Sequence, residues 1–402
     1  MSIIKLKQLL FESINSGMKL PPGFSITTVE DLPEPKLDEE LGGVKYANIG
    51  DDELEDYIKR RQGVPNIDKK TGQQLMTKKG RPRFTALGKK TDRYKFPYVH
   101  TSTVRDMTGN PIEIPQLINK IKERPHTILK RNAKIQKSGG FDYIFYNIGL
   151  PAFKGLIVDE KTNKLKIVNT CPGAGQCLVF CYAKKGGYVM FEMASLPYTR
   201  LLNFLINDPE GFKNKMIAEL KAADAEAKSK NIKVIIRWHD AGDFFSSDYL
   251  KIAYDIARQF PDITFYAYTK LAGVSAGEKP DNFVMNFSSG ALKSQEQQVD
   301  LKTTKHSIVV PRQMFDGLTH MKHDGDNKKM EFNSPQDLET FKNKISAKYN
   351  VERDTVITYD ELMKIPYDSN TAEKKYNVLV WAGHGDDAAM RKDVLGTYLL
   401  IH

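Results

Sequence analysis

Cysteine is nearly absent from this chain of 402 residues: it occurs three times, and all three copies fall on one short segment. Cys171, Cys177 and Cys181 follow a C-x5-C-x3-C spacing. So small and clustered a set excludes a disulfide framework and indicates a reducing, intracellular setting. Three thiolates on one loop suit a metal ion or an iron–sulfur cluster that is held at three corners and keeps one position open. The other interpretation is three unrelated thiols.

Long apolar runs are missing as well. No stretch of about eighteen consecutive apolar residues occurs, so a membrane-spanning helix is not expected. Near the N-terminus, Lys5 interrupts the apolar pair Ile3-Ile4 at once, which does not fit a secretory signal. The sequence therefore predicts neither a membrane protein nor a secreted one.

Acidic residues are scarce in the stretch Lys59–Lys95, which carries thirteen Lys or Arg against Asp68 and Asp92 alone. This excess is larger than the formal net charge of the whole chain, +10. Such a charge predicts binding to a polyanion, with nucleic acid as the obvious partner. The alternative is a solvated basic linker, because aromatic residues are sparse in this stretch before Tyr94.

Short apolar runs alternate with helical patterns from about residue 116, which is typical of a parallel sheet flanked by helices. The expected strands are 142–147, 155–159, 164–169, 234–238, 264–269, 283–287, 307–310 and 377–382. We predict an α/β fold, as a full or partial β/α barrel with parallel strands or, alternatively, as an open doubly wound sheet. Residues 116–402 would form this core, with a helix near 117–137 and a polar insertion at about 318–374. Residues 1–115 are predicted to be a basic, partly disordered N-terminal extension.

Polar side chains follow several of these strands, and chemistry gathers at strand ends in parallel β/α folds. His239, Asp240 and Asp243 lie on a glycine-containing turn after one strand and are the predicted catalytic residues. They can bind a metal, position a substrate or act as general acid and base. Lys270 and Ser288 end or follow the next two strands and are predicted to contact a cofactor. Alternatively, Asp243 caps the next helix and Asp240 only holds the turn.

Three more residues are candidates for the same site. His384 stands between two glycines, which let the backbone approach a ligand, and it is the candidate fourth cluster ligand or a substrate contact. Arg200 and Asn203 lie three residues apart on one helical face and can reach a carboxylate or phosphate of a cofactor. The alternatives are a helix cap in the acidic segment after His384 and a surface pair for Arg200 and Asn203.

Three thiolates with a vacancy predict a [4Fe–4S] cluster with one iron open to a small molecule. In radical enzymes that molecule is S-adenosylmethionine, and their usual cysteine spacing is C-x3-C-x2-C. The spacing in this chain is longer, although the aromatic Phe180 precedes Cys181. Zinc is the alternative occupant, because three thiolates and the imidazole of His384 complete a tetrahedral site.

Five short sequence motifs follow one another along the chain: Asn147–Ala152, Thr170–Ala183, Arg200 with Asn203, His239–Phe245 and Phe265–Lys270. Together they resemble the bacteriophage gene product eighty-eight family over about residues 128–290, and Gly383–Asp387 is expected to belong to the same pattern. The resemblance implies a viral origin, the cytoplasm of an infected host cell and a shared cysteine site, but no reaction. Many members of that family carry further cysteines near the C-terminus, which this chain lacks, so a second cluster is not expected.

Three functions remain open at this point. The leading hypothesis is a phage enzyme of radical or reductive chemistry, with a [4Fe–4S] cluster and possible use of S-adenosylmethionine. The second is a non-enzymatic protein that binds nucleic acid through Lys59–Lys95, or the virion and other phage proteins through its N-terminal extension. In that case a zinc or iron–sulfur site has only a structural role and stabilises the cysteine loop. The third is a metal-dependent hydrolase that uses two groups of residues: His239, Asp240 and Asp243, together with His384, Asp386 and Asp387.

Overall fold

The computed structural model describes residues 44, 46–78, 80–89, 92–131, 143–184, 187–190, 192–324, 327–368, 372–373, 375–381 and 384–400. Residues 1–43 of the predicted extension lie outside this range, and the boundary near residue 115 stays a prediction. Among the described helices, none has the length and apolar character needed to cross a bilayer.

Fourteen strands occur in the described chain. They are β1 (Val64–Pro65), β2 (Phe84–Thr85), β3 (Tyr143–Asn147), β4 (Lys154–Asp159), β5 (Lys164–Asn169), β6 (Lys233–Trp238), β7 (Thr264–Thr269), β8 (Phe283–Ser288), β9 (His306–Val310), β10 (Thr319–Asp324), β11 (Asn327–Phe332), β12 (Val356–Thr358), β13 (Tyr376–Trp381) and β14 (Val394–Leu400).

The α-helices of the same residues connect these strands. They are α1 (Asp51–Gln62), α2 (Asp92–Lys95), α3 (Ile114–Lys122), α4 (Cys177–Phe180), α5 (Gly187–Met190), α6 (Glu192–Asn207), α7 (Pro209–Ser229), α8 (Ser247–Gln259), α9 (Ala272–Ala276), α10 (Lys293–Glu296), α11 (Pro335–Tyr349), α12 (Tyr359–Met363) and α13 (Asp387–Met390). Short 3-10 helices cover Thr101–Val104, Tyr182–Lys184, Arg312–Met314 and Arg353–Thr355.

Eight strands form one sheet in the order β12-β13-β14-β9-β8-β7-β6-β3, and every neighbouring pair is parallel. The predicted α/β class with a parallel sheet flanked by helices is therefore confirmed. Closure into a barrel is not confirmed, because within the described residues the edge strands β3 and β12 pair with one neighbour each and not with each other. The predicted polar insertion contains the hairpin β10–β11 and supplies the edge strand β12.

The strands β4 and β5 do not join this sheet but form an antiparallel hairpin of their own between β3 and β6. Only four residues connect β4 and β5, and parallel strands need a crossover of a dozen or more residues. The two strands can therefore pair only in the antiparallel direction. The cysteines follow directly after β5. This hairpin therefore positions the cysteine segment beside the large sheet.

Apolar side chains cover both faces of the large sheet, which explains why β6 has a nearly continuous apolar sequence. On one face, Ile236 and Trp238 belong to a core that includes residues of α6, α7 and α8. On the other face, Ile235 packs in a second cluster with Ala389 and Met390 of α13. The C-terminal segment around α13 thus lies over the same strands as the cysteine loop.

The described part of the predicted extension also packs on the rest of the chain. Leu54 and Ile58 of α1 share a buried cluster with Leu117 of α3 and with Leu156 and Val158 of β4. Burial of aliphatic side chains of this size stabilises the fold by roughly 1.5–3 kcal/mol each. Helix α1 and the hairpin before the cysteine loop therefore share one core.

The helix expected near 117–137 is shorter at its C-terminal end, since α3 ends at Lys122. Pro125 disfavours a helical conformation of the residue before it, so the helical pattern cannot continue through this point. After the break, the backbone N–H groups of Ile128 and Leu129 donate to the carboxylate of Glu219 in α7. A helix of the core therefore satisfies the donors of Ile128 and Leu129, and residues 132–137 of the expected helix lie outside the described residues.

Candidate functional site

The cysteine loop, Cys171–Cys181, lies across the carboxyl ends of β7 and β8. The backbone N–H groups of Gly175 and Cys177 both donate to the carbonyl oxygen of Gly290, at 3.1 and 3.0 Å. A Cβ atom on Gly175 would lie 2.3 Å from the carbonyl oxygen of Ala291, so only glycine fits there. Glycine in the cysteine motif is thus needed for the close approach of this loop to the end of the sheet.

The three thiols lie within electrostatic range of one another. Burial raises the pKa of the Cys171 thiol, and the Asp243 carboxylate and the charges of Cys181 and Cys177 raise it further. Burial likewise raises the pKa of Cys177 to about 11. The Sγ atom of Cys171 accepts a hydrogen bond from the N–H of Phe153 at 3.2 Å. Burial thus favours the protonated form of Cys171 and Cys177, whereas a bound metal would stabilise the thiolates.

The donor set fits an iron–sulfur cluster, since thiolates are its usual ligands and all three lie on one loop. In the described residues, which include the three cysteines, no three His, Cys, Asp or Glu side chains are arranged to hold a metal ion. A [4Fe–4S] cluster or a zinc ion at Cys171, Cys177 and Cys181 therefore stays a proposal.

Asp243, one of the predicted catalytic residues, joins the loops at the sheet edge. Its carboxylate accepts hydrogen bonds from the N–H of Phe244 at 2.7 Å and from the N–H of Lys270 at 2.8 Å. Its own N–H donates to the carbonyl oxygen of Thr170, directly before the first cysteine. Burial raises the pKa of Asp243 to about 6, against the effect of these donors. Helix α8 is capped by Ser246 and not by Asp243.

Lys270 and Ser288, both predicted to contact a cofactor, lie together at this edge. The ammonium of Lys270 donates to the carbonyl oxygen and to Oγ of Ser288, at 3.2 and 2.6 Å, and to the carbonyl oxygen of Ser289 at 2.6 Å. Its charge lowers the pKa of Cys177 against the larger effect of burial. The structure thus brings Lys270, Ser288 and Asp243 to the cysteine loop.

Asp240 lies at the centre of a buried polar cluster. Its Oδ2 atom accepts from the amide of Asn147 at 2.8 Å and from the hydroxyls of Tyr198 and Tyr188 at 2.7 and 3.3 Å. Its Oδ1 atom is buried without a hydrogen-bond partner. A Cβ atom on Gly149 would lie 2.1 Å from that oxygen. The glycine before the hairpin is therefore what leaves room for the carboxylate.

Lys130 belongs to the same cluster, although the sequence analysis did not select it. Burial lowers the pKa of this lysine to about 8, while the Asp240 carboxylate raises it. Its Nζ atom lies 4.3 Å from the centre of the Tyr198 ring. No local pattern marks Lys130, because only the fold brings it beside a strand end more than a hundred residues away.

The imidazole of His239 contacts a tyrosine hydroxyl. Its Nε2 atom lies 2.7 Å from the Tyr249 hydroxyl, and its Nδ1 atom is buried without a hydrogen-bond partner. Burial, together with the charge of Arg237, lowers the pKa of His239 to about 3. Its backbone is left-handed, with φ = 69°, which is unusual outside glycine. The structure therefore holds His239 as a neutral, buried imidazole.

Arg237 is a second residue that the sequence analysis missed, although a charge inside an apolar strand was a usable signal. Its Nη1 atom lies 2.5 Å from Oδ2 of Asp386, and both residues are buried. The Tyr266 hydroxyl donates to the same oxygen at 3.0 Å. Although burial opposes it, the Asp386 carboxylate holds the pKa of Arg237 above its usual value. This pair attaches the segment before α13 to the end of β6.

His384 lies in that segment and stacks on Tyr359, with the ring centres 4.3 Å apart. Its Nδ1 atom also accepts from the N–H of Trp381 at 3.3 Å. As a fourth cluster ligand it stays a prediction. The acidic residues after it do start a helix, because α13 begins at Asp387, with Asp386 at the cap position.

Arg200 and Asn203 both bind the backbone of neighbouring elements. Arg200 donates to the carbonyl oxygen of Lys120 at 2.8 Å and pairs with Glu123, so it holds the end of α3. The side-chain oxygen of Asn203 accepts from the N–H of Val158 in β4 at 2.8 Å. These contacts are structural, and the prediction that either residue contacts a cofactor is still untested.

A comparison with known families adds one result. Residues 126–357, more than half of the chain, match the model of the family described as Gene product 88. The chain belongs to the Gene product 88 family. This confirms the resemblance to a phage family, over a longer range than residues 128–290, while Gly383–Asp387 lies beyond the matched residues. No curated protein and no solved structure matches the chain. Family membership therefore identifies a group of phage proteins and no reaction.

Proposed function

We propose that this member of the Gene product 88 family is an iron–sulfur enzyme of radical or reductive chemistry. In this proposal Cys171, Cys177 and Cys181 hold a [4Fe–4S] cluster with one iron open to a small molecule such as S-adenosylmethionine. One observation carries the proposal: all cysteines of the chain lie on one loop across the carboxyl ends of parallel strands. Ligands bind at this edge in α/β folds.

The residues at the loop support such a site. When bound, the cluster supplies a one-electron reductant. Lys270 provides a positive charge that offsets the thiolates, and its own position is held by three oxygens of β8 and the loop after it. Asp243 holds the loops after β6 and β7 against the residue before Cys171. Asp240 and its tyrosines offer groups that can hold or move a proton in the adjoining polar cluster.

A partial β/α barrel is our proposed finer description of the fold. Five strands, β3, β6, β7, β8 and β9, follow one another side by side in chain order. This order is the one expected of a barrel segment, in which each helix returns the chain to the next strand. A metal-dependent hydrolase has less support, because His239, Asp240 and Asp243 are each bound to different partners.

Anaerobic purification and reconstitution with iron and sulfide test the proposal. We expect a brown protein with iron and sulfide each near about four per chain, and a cluster signal in electron paramagnetic resonance after reduction. Replacing all three cysteines by serine should abolish both. A colourless protein that contains one zinc and no iron would overturn the proposal in favour of a structural zinc site.

A second candidate function is nucleic-acid binding or virion association through Lys59–Lys95. The supporting observation is the combination of exposed basic side chains with large apolar residues that are 44–51% exposed: Val64, Ile67, Met76 and Leu87. Exposed apolar side chains in a basic segment favour a macromolecular partner over a solvated linker. Replacing Lys69, Lys70, Arg81 and Arg83 by glutamine should weaken binding to nucleic acid and flatten its salt dependence. Unchanged binding would exclude this surface.

A further inference from the structure

Two lysines contact one aromatic ring beside the cysteine loop. The Nζ atoms of Lys154 and Lys184 lie 5.1 and 4.5 Å from the centre of the Phe153 ring. Lys184 also lies 5.6 Å from the centre of the Tyr94 ring. The two lysines come from different elements, since Lys154 begins β4 and Lys184 ends the 3-10 helix that follows the last cysteine. The fold therefore concentrates positive charge at a pair of aromatic rings.

Lys154 lacks a counter-charge. Within the described chain its ammonium donates to the carbonyl oxygen of Lys95, at 2.9 Å, and pairs with no carboxylate. Burial, together with the charges of Lys184 and Lys95, lowers the pKa of Lys154 to about 8. Lys95 itself pairs with Glu53. A half-buried ammonium with cations as its charged neighbours is stabilised when an anion binds beside it.

Phe153 links this pair of lysines to the thiols. Its backbone has φ = 66°, a left-handed conformation that is rare for a bulky residue. In this conformation its N–H donates to Sγ of Cys171, and its carbonyl oxygen accepts from the N–H of Thr170 at 2.9 Å. Backbone strain of this kind persists where the surrounding structure imposes it, commonly at ligand sites. A ligand on the two lysines would therefore lie next to the cysteine loop.

The basic stretch of the sequence ends at the same place. Tyr94 offers its ring to Lys184, and Lys95 offers its carbonyl oxygen to Lys154. The stretch Lys59–Lys95 is thus continuous with the two lysines and reaches them at its C-terminal end. Both rings are partly exposed, and positive charge beside such rings is typical of sites for single-stranded nucleic acid.

We propose that Lys154 and Lys184 bind a backbone phosphate of a single-stranded nucleic acid, with Phe153 and Tyr94 as stacking faces. The strand would be the substrate that is presented to the cysteine loop. This inference names a substrate class for the enzyme proposed above and rests on that function for the chemistry, although the binding itself does not depend on a cluster.

Fluorescence anisotropy of the full-length protein with a labelled single strand of about twelve nucleotides tests the inference. In a plot of log affinity against log salt concentration, each phosphate contact on a single strand contributes about 0.7 to the slope. At 100 mM salt, one such contact therefore raises the affinity about fivefold relative to 1 M salt. Because both lysines would bind the same phosphate, we expect Lys154→Gln and Lys184→Gln each to weaken binding up to about fivefold and to lower the slope by up to about 0.7, and the double variant to lose little more than either single variant. Either variant alone suffices if the other does not fold.

Lys161→Gln is the matched control, because Lys161 lies exposed in the turn at the far end of the same hairpin. It removes the same charge and should change binding less than about twofold. Site variants that bind as tightly as the wild-type protein, or a control that loses as much, would overturn the inference. Pyrophosphate, a mononucleotide or the matching duplex could also compete with the labelled strand. If any of them competes as well as the unlabelled single strand, the site is not specific for a single strand and the inference is overturned.

The two proposals can fail separately. The same titration is repeated with the variant in which all three cysteines are serine. If this variant still binds the strand without iron, and if Lys154→Gln still weakens that binding, the result supports the phosphate site. This holds whether or not the wild-type protein carries a cluster. A wild-type protein with a full cluster whose strand binding does not respond to Lys154 or Lys184 overturns the phosphate site alone.

Discussion

Neutralising Asp386 should be among the most damaging single changes in this protein. Asp386→Asn removes the counter-charge of Arg237, whose side chain is 8% exposed and whose Nη1 atom lies 2.5 Å from the lost carboxylate oxygen. An uncompensated buried charge costs about 3–5 kcal/mol in the free energy of unfolding. That loss is a large part of the roughly 5–15 kcal/mol by which native proteins are stable.

A matched surface pair separates this effect from a general effect of losing a carboxylate. Arg312 and Asp316 lie one helical turn apart, with side chains that are 57% and 55% exposed. Asp316→Asn should cost about 0.2–1 kcal/mol at most, because water screens the pair. The double change Arg237→Met with Asp386→Leu should recover most of the loss, since replacing both partners of a buried pair by apolar groups is often close to neutral.

Equilibrium unfolding in urea, followed by tryptophan fluorescence, measures these differences. Trp238 is fully buried next to Arg237 in β6 and reports on this region. Our reasoning would be refuted if Asp386→Asn and Asp316→Asn cost the same, or if the double variant were no more stable than Asp386→Asn. Either result would mean that the Arg237 charge is not desolvated as the structure indicates.

Three further changes test other parts of the structure. Gly149→Ala should destabilise the protein by about 1–3 kcal/mol in thermal unfolding, because the new Cβ would lie 2.1 Å from Oδ1 of Asp240. Gly273→Ala, in α9 with open space around it, should instead stabilise it by about 0.5–1 kcal/mol. Burial lowers the pKa of His306 to about 4, so stability should fall as the pH drops from about 6.5 towards 4, where the unfolded chain binds a proton that the folded protein excludes. His306→Gln should make urea unfolding less dependent on pH in that range, and an unchanged dependence would contradict the assignment.

Local sequence patterns were sufficient for the eight expected strands and for the cysteine motif, but they missed β14, which lies inside the large sheet between β13 and β9. The apolar run of β6 and the strand 164–169 are found where the pattern predicts them, because each is bounded by polar or turn-forming residues. The helix expected near 117–137 shows the limit of such patterns. Its apolar periodicity continues beyond Lys122, but Pro125 and the bonds from Ile128 and Leu129 to Glu219 decide where the chain stops being helical.

Partnerships between distant residues could not be predicted in this way. Arg237 and Asp386 are 149 residues apart in the chain, and Lys130 meets Asp240 only because β3 pairs with β6. The predicted trio of His239, Asp240 and Asp243 is adjacent in sequence, yet the tight turn sends each side chain to a different partner. The spacing of residues along the chain therefore predicts which polar side chains lie near a strand end. It does not predict which of these side chains contact each other.

The sequence by itself determined the chemical groups of this protein: three thiols on one glycine-containing loop, a basic stretch and polar residues at the ends of apolar strands. The tertiary structure alone decided that Asp243 and Lys270 lie near the thiols, and that Lys154 and Lys184 share the ring of Phe153. The physical reason is that local propensities act over a few residues, whereas the neighbours of a strand end depend on the order of strands in the sheet. That order is set by packing of the whole core.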